Sequence, residues 1–176
     1  FKSILKPLQF MAFDLGGTVG SLGYDTERKV FYSSQGIGAA PLICYESIYG
    51  EFVTEFVKNG AQILMVITND GWWGDTPGHE QHLSFSRLRA IECRRSVARS
   101  ANTGISCFVN QRGDVIEATS YWVQDARKHT LKANSELTFY VKYGDYLGRS
   151  SVFLAILLLL INITVYFKKE KPNEIN

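Results

Sequence analysis

The chain has 176 residues, and its 19 basic and 17 acidic side chains leave a formal net charge of only +2. This length supports one domain with a proper hydrophobic core, together with a small appendage. The basic residues are scattered along the chain, which argues against nucleic acid as the main partner. Three cysteines are present without metal-ligand spacing, so the sequence predicts no metal site and at least one free thiol.

The first residues give only weak signals. The chain begins at Phe1 without an initiator Met or a signal peptide, which predicts a fragment of a longer protein. Apolar residues between Ser3 and Phe13 predict a short amphipathic helix that Pro7 starts or interrupts. The glycines of residues 16–23 predict a loop, and their spacing is not that of a phosphate-binding motif.

Three consecutive segments predict the centre of the fold. The apolar run Ile37–Cys44 is typical of a buried strand, Ile48–Asn59 has apolar residues at helical spacing before Gly60, and Gln62–Thr68 predicts a second strand. A strand, a helix and a strand in direct succession indicate a βαβ unit, so we expect a partly parallel, buried sheet of an α/β fold. Arg28–Tyr32 predicts a further short strand.

Cys44 lies where the first of these strands meets the helix. A nucleophile on a sharp strand-to-helix turn is held out of the core, with backbone N–H groups nearby that can stabilise an oxyanion. Cys44 is therefore a candidate nucleophile. The alternative is a structural cysteine buried at a strand end, because free Cys is among the most buried residue types.

The loop Asn69–Asp75 contains two adjacent tryptophans, Trp72 and Trp73, among residues typical of turns. Loops lie at the surface, so two large aromatic side chains in a loop require an explanation. They either pack onto the domain or line an apolar site, and the sequence favours neither interpretation.

The segment Gly78–Ser96 predicts a polar, basic helix that covers the sheet. His79 and His82 are three residues apart, but no third ligand is evident, so we expect surface or hydrogen-bonding roles for them. We expect the arginines of this region to be mostly a solvated face, with one or two paired with buried carboxylates. They are Arg87, Arg89, Arg94, Arg95 and Arg99.

Short strands and one hairpin turn are predicted beyond this helix. They are the strands Val97–Asn102 and Ile105–Asn110, the turn Gln111–Asp114 and the strand Val115–Thr119. Cys93 falls on the helix and Cys107 inside a strand, so we interpret both as structural.

The C-terminal segment predicts a membrane span. Ser151–Phe167 carries no charge, Tyr146 extends this run towards the length of a hydrocarbon core, and Arg149 can snorkel. The basic tail that follows places the C-terminus in the cytoplasm and the globular part on the opposite side of the membrane. A buried core helix is the alternative. The predicted boundaries are 1–145 for the globular domain, 146–167 for the transmembrane helix and 168–176 for the cytoplasmic tail.

Several motifs together resemble a known enzyme family. They are Ile43-Cys44-Tyr45-Glu46, Thr68-Asn69-Asp70-Gly71-Trp72-Trp73-Gly74, Gln81-His82, Arg87-Leu88-Arg89-Ala90-Ile91-Glu92, Arg99-Ser100-Ala101-Asn102-Thr103-Gly104-Ile105 and Tyr143-Gly144-Asp145. Their order and spacing before a last transmembrane helix resemble apolipoprotein N-acyltransferase, a bacterial membrane enzyme of the nitrilase superfamily. The resemblance covers nearly the whole chain.

The resemblance implies part of a nitrilase-like α-β-β-α sandwich on the periplasmic side of the bacterial inner membrane. It implies a Glu-Lys-Cys triad, whose cysteine matches Cys44, and no cofactor. In the family this cysteine takes an acyl group from a phospholipid, usually phosphatidylethanolamine, as a thioester. The acyl group then passes to the N-terminal diacylglyceryl-cysteine of an apolipoprotein, a step of lipoprotein maturation.

The resemblance also implies roles for the residues around the nucleophile. The positions that match Tyr45 and Glu46 are functionally important in the family. The N–H of Tyr45 can serve as an oxyanion donor, and we assign Glu46 a supporting role. Trp72 and Trp73 would suit a place where acyl chains enter from the bilayer.

The sequence departs from the family pattern before the cysteine. The family's catalytic Glu and Lys precede its cysteine by longer stretches than this chain provides, and neither Lys2 nor Lys6 matches the lysine. The usual multi-helix membrane domain is also unmatched, so we expect a catalytically incomplete part that shows no transferase activity alone. Two alternatives stay open, a nitrilase-like amidase for a small amide and a non-catalytic, membrane-anchored interaction domain.

Overall fold

The computed structural model of the protein describes residues 25–169. The helix predicted between Ser3 and Phe13, the glycine loop of residues 16–23 and most of the basic tail lie outside the described residues. The described part consists of a mixed sheet, helices packed on one face of that sheet, and one long C-terminal helix.

The sheet has six strands that follow one another in chain order. They are β1 (Phe31–Tyr32), β2 (Gly38–Ile43), β3 (Ile63–Thr68), β4 (Ser96–Ala101), β5 (Cys107–Val109) and β6 (Val115–Ile116). Strands β2, β3 and β4 are parallel. Antiparallel pairs join β1 to β2, β5 to β4 and β6 to β5. Parallel neighbours require crossover connections, and helices supply both of them.

Four helices accompany the sheet. They are α1 (Gly50–Lys58), α2 (Gly78–Cys93), α3 (Phe139–Tyr143) and α4 (Tyr146–Lys169). Helix α1 connects β2 to β3, and its apolar stripe of Val53, Phe56 and Val57 is buried. Helix α2 connects β3 to β4 and ends at Arg94, whose φ of +50° closes the last turn.

The hydrophobic core lies between this helical layer and one face of the sheet. Leu42, Leu64 and Val97 point into it and are fully buried. Alternate residues of the same strands point the other way. On that outer face Met65 is 45% exposed and Ile67 is 54% exposed, so among the described residues this part of the second face is apolar and only partly covered.

The predicted βαβ centre is confirmed, with one difference at its most important junction. The helix predicted from Ile48 begins at Gly50, because a 3-10 turn, Cys44–Ile48, lies between strand and helix. The predicted hairpin strand Val115–Thr119 is shorter than expected and covers only Val115–Ile116. The mixed sheet with helices on one face agrees with one half of the predicted α-β-β-α sandwich.

Helix α4 is long and apolar enough to cross a membrane, with a mean hydropathy of 2.3 over its most apolar 18 residues. None of its residues up to Lys168 is buried in the described part of the chain, so the alternative of a buried core helix is wrong there. Its start is tied to the globular part, since the Arg149 guanidinium pairs with Glu51 of helix α1 and the Asp145 N–H donates to the same carboxylate.

Candidate active site

Cys44 lies directly after β2 and begins the 3-10 turn Cys44–Ile48. Its φ of +50° is in the left-handed region, which residues with a Cβ rarely adopt. The chain therefore turns sharply out of the sheet at this residue, and the thiol is partly exposed, whereas Cys93 and Cys107 are buried. A backbone conformation of this kind costs about 1–3 kcal/mol and persists only where the surroundings hold it.

Two side chains of the turn hold its backbone. The Glu46 carboxylate reaches back and accepts a hydrogen bond from the Ile43 N–H at 2.7 Å. The hydroxyl of Ser47, which is fully buried, donates to the Cys44 carbonyl at 2.8 Å. Glu46 thus braces the start of the turn, and among residues 25–169 it makes no hydrogen bond to the Cys44 thiol.

A buried cluster of charged side chains lies beneath this turn. Asp70, from the loop after β3, is fully buried and is 2.6 Å from an Nη of Arg99 on β4. Its other carboxylate oxygen is 2.9 Å from Nδ1 of His82 on helix α2 and accepts from the Thr68 hydroxyl at 2.9 Å. Arg99 also donates to the Ser86 hydroxyl at 3.1 Å. Three segments that are distant in sequence therefore share one charged cluster.

The cluster keeps Asp70 ionised in spite of its burial. Burial alone would raise the pKa of this carboxyl, because the charged form loses its hydration. The hydrogen bond with His82, the charge of Arg99 and the hydrogen bond from Thr68 outweigh burial and hold the pKa of Asp70 below its ordinary value. The carboxylate is therefore a fixed negative charge to which His82 and Arg99 are anchored.

The cluster contacts the backbone of Cys44 and not its thiol. Nε2 of His82 is 3.3 Å from the Cys44 carbonyl oxygen and 3.3 Å from the Ser47 hydroxyl. The His82 ring is almost completely buried, and its Nδ1 faces Asp70, so one ring connects the Asp70 carboxylate with the Cys44 peptide. Of the two roles expected for His82, at the surface or in hydrogen bonding, the hydrogen-bonding role is confirmed.

Aromatic rings form one wall of the site. Tyr45 is 53% exposed, and its ring centroid lies 5.9 Å from that of His82 and 6.0 Å from that of Trp73. Trp73 packs inward against His82 and so close to Gly78 that a Cβ there would overlap its ring. Trp72 is 65% exposed. The two alternatives for the tryptophans therefore divide between them, since Trp73 packs onto the domain and only Trp72 faces outward.

The sequence did not reveal the part that Asp70, Ser47 and Arg99 play near Cys44. The expectation that the arginines are mostly a solvated face is wrong for Arg89, Arg95 and Arg99, which are buried. The expectation that one or two of them pair with buried carboxylates is confirmed by Arg99 and Asp70. One signal was available, because Arg99 is two residues after the buried Val97 on the same strand and so falls on the core face. A charge at such a position requires a buried partner.

The other cysteines fit the structural role predicted for them. Burial raises the pKa of the Cys93 thiol to about 12 and that of the Cys107 thiol to about 11. Neither is therefore available as a thiolate near neutrality. Among residues 25–169, no group of acidic, His and Cys side chains has the arrangement of a metal site.

The Cys44 thiol itself has no acid or amine partner within residues 25–169, because no hydrogen bond joins its Sγ to any of them. The arrangement can present a nucleophile on a rigid turn and can orient the peptide that follows it. It does not, within these residues, hold a group that would take the thiol proton.

Comparison with known proteins assigns the family. The family model described as carbon-nitrogen hydrolase matches residues 2–135, which is more than half of the chain. A protein of Chlorobaculum tepidum named apolipoprotein N-acyltransferase is 35% identical over 158 residues, 88% of this chain and 30% of its own length. One of Bdellovibrio bacteriovorus with the same name is 38% identical over 150 residues, 83% of this chain and 26% of its own length.

The chain thus spans less than a third of the length of these relatives. Among solved structures, an amidase from Nesterenkonia sp. matches with a TM-score of 0.47 at 21% identity, over 61% of this chain and 44% of that one.

Proposed function

Because this chain belongs to the carbon-nitrogen hydrolase family, we propose that it carries the nucleophile of a phospholipid-to-apolipoprotein N-acyltransferase. The observation that carries the proposal is Cys44, a partly exposed cysteine at φ +50° on a braced strand-to-turn junction. Support comes from the similarity to relatives named apolipoprotein N-acyltransferase, which extends over 88% of the chain in one case.

The proposed reaction has two steps at one sulfur atom. The Cys44 thiolate attacks the acyl carbonyl of a phospholipid, phosphatidylethanolamine being the expected donor, and the ester C–O bond breaks as the lysophospholipid alkoxide leaves and takes up a proton. The product is a thioester. The α-amine of the diacylglyceryl-cysteine of an apolipoprotein then attacks this thioester and gives up one proton to the base as the amide C–N bond forms, and the C–S bond breaks to return the Cys44 thiolate.

Residues around Cys44 take distinct parts in this scheme. The Tyr45 N–H donates a hydrogen bond to the oxyanion of each tetrahedral intermediate, where one such donor is worth about 10²–10³ in rate. Glu46 supports the turn through the Ile43 N–H. The exposed ring of Trp72 offers apolar surface to an acyl chain, while Trp73 supports the wall behind Tyr45. No cofactor enters either step.

The glutamate and lysine of the triad have no assigned positions in this chain. A thiol at its ordinary pKa is mostly protonated near neutrality, so both steps need a base and a cation that residues 25–169 do not place at Cys44. In the proposal these two groups come from outside this sequence. The isolated 176-residue chain is then inactive, and turnover by that chain would contradict this part of the proposal.

The location follows from the apolar helix and the charges that flank it. Helix α4 anchors the chain in the bacterial inner membrane, and Lys168 and the other tail lysines place the C-terminus in the cytoplasm. The globular domain, residues 1–145, is then periplasmic, where its donor lipid lies in the adjacent leaflet.

The test uses membranes of the source cell supplied with a labelled fatty acid. The expected result is a label on the band that contains this sequence, removed by neutral hydroxylamine and lost in Cys44→Ser. Cys93→Ala is the matched control, because Cys93 is buried and its variant should keep the label.

Other outcomes would point to other functions. Hydrolysis of short amides without any acyl label from phospholipid would favour the amidase. A band that is never labelled, together with a Cys44 that does not react with thiol reagents in the membrane-bound protein, would favour the non-catalytic anchor.

A further inference from the structure

We infer that the buried Asp70–His82 pair is a positioning device that fixes the Cys44–Tyr45 peptide, so that the Tyr45 N–H is held in place as the oxyanion donor. The inference rests on the proposed acyl transfer at Cys44 and adds a residue, His82, that acts through the backbone of the nucleophile. His82 is a positioning residue, because its contact is with the Cys44 carbonyl at 3.3 Å and not with the thiol.

The planar geometry of the peptide unit determines the direction of the Tyr45 N–H. The Cys44 carbonyl and the Tyr45 N–H belong to one planar peptide, and none of the described peptide bonds is cis. In a trans peptide the C=O and N–H bonds point in opposite directions. The carbonyl is directed into the buried side, towards the Ser47 hydroxyl at 2.8 Å and Nε2 of His82. The Tyr45 N–H is therefore directed away from the cluster.

The His82 ring is held rigidly on the side that faces Asp70. His82 is 2% exposed, and its Nδ1 lies 2.9 Å from the Asp70 carboxylate, which fixes the orientation of the ring. In the inferred bridge both ring N–H groups donate, Nδ1–H to Asp70 and Nε2–H to the Cys44 carbonyl, because both oxygens are acceptors. Asp70 is held in turn by Arg99 at 2.6 Å. A Cβ on Gly104 would overlap the Asp70 carboxylate, so the backbone also closes on this group and leaves it no room to shift.

The backbone conformation of Cys44 explains why such a device is needed. At φ +50° the Cys44 backbone is in a conformation that is unfavourable for any residue other than glycine. A rotation about the N–Cα bond of Cys44 that returns φ to a negative value would relieve this strain, and it would also swing the Cys44–Tyr45 peptide and its N–H away from the position that an oxyanion occupies. Preorganised donors contribute most to catalysis when they do not have to reorient during the reaction. The cluster opposes that rotation at the carbonyl.

Two substitutions of His82 separate this role from simple packing. The amide of Asn lies near the position of the imidazole Nδ1, so His82→Asn keeps a contact to Asp70 and loses the contact to the Cys44 carbonyl. The longer Gln places its amide near Nε2, so His82→Gln keeps a donor towards the carbonyl. His79→Asn is the matched control, since His79 is on the same helix, stacks on Tyr121 and makes no contact to Cys44.

The readouts are two reactions of Cys44 in the full-length, membrane-embedded enzyme. Acylation by a short-chain 4-nitrophenyl ester forms the S–C bond and expels 4-nitrophenolate through a tetrahedral oxyanion. Alkylation by iodoacetamide displaces iodide from carbon and passes through no oxyanion. We expect His82→Asn to slow acylation about 10- to 100-fold while its alkylation rate and melting temperature stay close to wild type. His82→Gln should recover most of the acylation rate, and His79→Asn should retain all of it.

Each other outcome has a definite meaning. Wild-type acylation in His82→Asn would overturn the inference, and so would a parallel loss of acylation, alkylation and melting temperature, because that pattern indicates a purely structural cluster. Ester acylation at Cys44 with the expected His82 pattern, but without transfer from phospholipid to a lipoprotein, would overturn the proposed function and support the positioning role. Failure of the wild type to form any acyl-enzyme at Cys44 would overturn both.

Discussion

Asp70 has no exposed surface, and its charge is balanced only by groups that the fold brings to it from other segments. The ion pair with Arg99 is equally hidden from solvent. Removal of one member of a buried pair leaves the other charge without compensation, and this typically costs about 3–5 kcal/mol. At the scale of single residues, the stability of the domain should therefore be most sensitive to loss of the Arg99 charge that is paired with Asp70.

We accordingly expect Arg99→Met to lower the free energy of unfolding of the full-length protein by about 3–5 kcal/mol, measured by denaturant titration in detergent. The control is Arg112→Met, because the pair Arg112–Asp114 is exposed and such pairs contribute about 0–1 kcal/mol. Equal, small effects of the two substitutions would contradict the assignment of Asp70 as a charged, buried anchor.

Asp70 also predicts an acid dependence of stability. Its pKa in the folded protein is held below the ordinary value, so the folded state binds its proton less readily than the unfolded state does. The stabilisation is fully present above the unfolded pKa of about 3.9 and is lost as the pH falls through the lower folded value. The stability difference between wild type and Asp70→Asn should thus be constant near neutrality and should shrink in unfolding curves below about pH 4. A difference that grows in acid would contradict this sign.

The position of Cys44 at the end of β2 was easier to predict from the sequence than the side chains that lie beneath it. Cys44 could be found because its signal is local, a polar turn directly after an apolar strand. Asp70 stands among turn residues and reads as a solvated loop position, although it is fully buried. His82 faces Cys44 from 38 residues away, and a contact of that kind depends on the tertiary fold and leaves no periodic pattern in the sequence.

At the scale of elements, the loop after β3 places two adjacent tryptophans in different surroundings. Trp73 packs on Tyr45, His82 and Gly78, so it belongs to the framework of the site. Trp72 makes none of these contacts and is 65% exposed. The βαβ unit was predictable from its apolar runs. The different orientations of the two neighbouring tryptophans were not predictable, because the 3-10 turn Asp70–Trp73 determines which ring points inward.

This division predicts different effects of two alanine substitutions. Trp73→Ala should destabilise the protein by about 3 kcal/mol or more, since a large aromatic ring leaves a cavity beside Tyr45 and His82. Trp72→Ala should change stability by less than about 0.5 kcal/mol and should raise the KM for long-chain phospholipid while a short-chain ester is used normally. Thermal unfolding and the two KM values check this. A KM that is unchanged in Trp72→Ala for both donors would remove Trp72 from the acyl site.

At the scale of the whole molecule, the sheet has one face that the described residues leave open. Ile43, Met65 and Ile67 project from β2 and β3 on this face and are each about half exposed. Monomeric soluble proteins rarely expose contiguous apolar patches of this kind without a partner. In the α-β-β-α sandwich implied by the family resemblance, a second sheet covers such a face.

Ile67→Lys tests whether the face is covered in the full-length protein. If a second sheet packs on it, the substitution buries an unpaired ammonium and should destabilise the protein by several kcal/mol. The matched control is Leu88→Lys on helix α2, at 41% exposure and outside this face, which should stay within about 0.5 kcal/mol of wild type. Equal tolerance of the two lysines in thermal unfolding would mean that the face is solvated in the complete protein.

The proposed orientation of the chain in the membrane rests on the position of helix α4 and on the charges at its two ends. Helix α4 begins at Tyr146, next to the ion pair that joins Arg149 to Glu51 of the globular part. It ends at Lys169, within the basic tail. A helix of this length is long enough to cross the bilayer once, and in the proposed topology the two ends of α4 face opposite compartments. The excess of lysine at its C-terminal end favours the cytoplasm for that end.

A membrane-impermeant maleimide applied to spheroplasts of the source cell can measure this orientation. Cys44 is the partly exposed cysteine of the globular part and should be labelled from outside, whereas Cys93 and Cys107 are buried and should not react in the folded protein. In a Cys44→Ala background, an Asn173→Cys substitution in the tail should be labelled only after the membrane is permeabilised. Labelling of the tail in intact spheroplasts, with Cys44 protected, would reverse the orientation and would separate Cys44 from the periplasmic leaflet in which the proposed donor lipid lies.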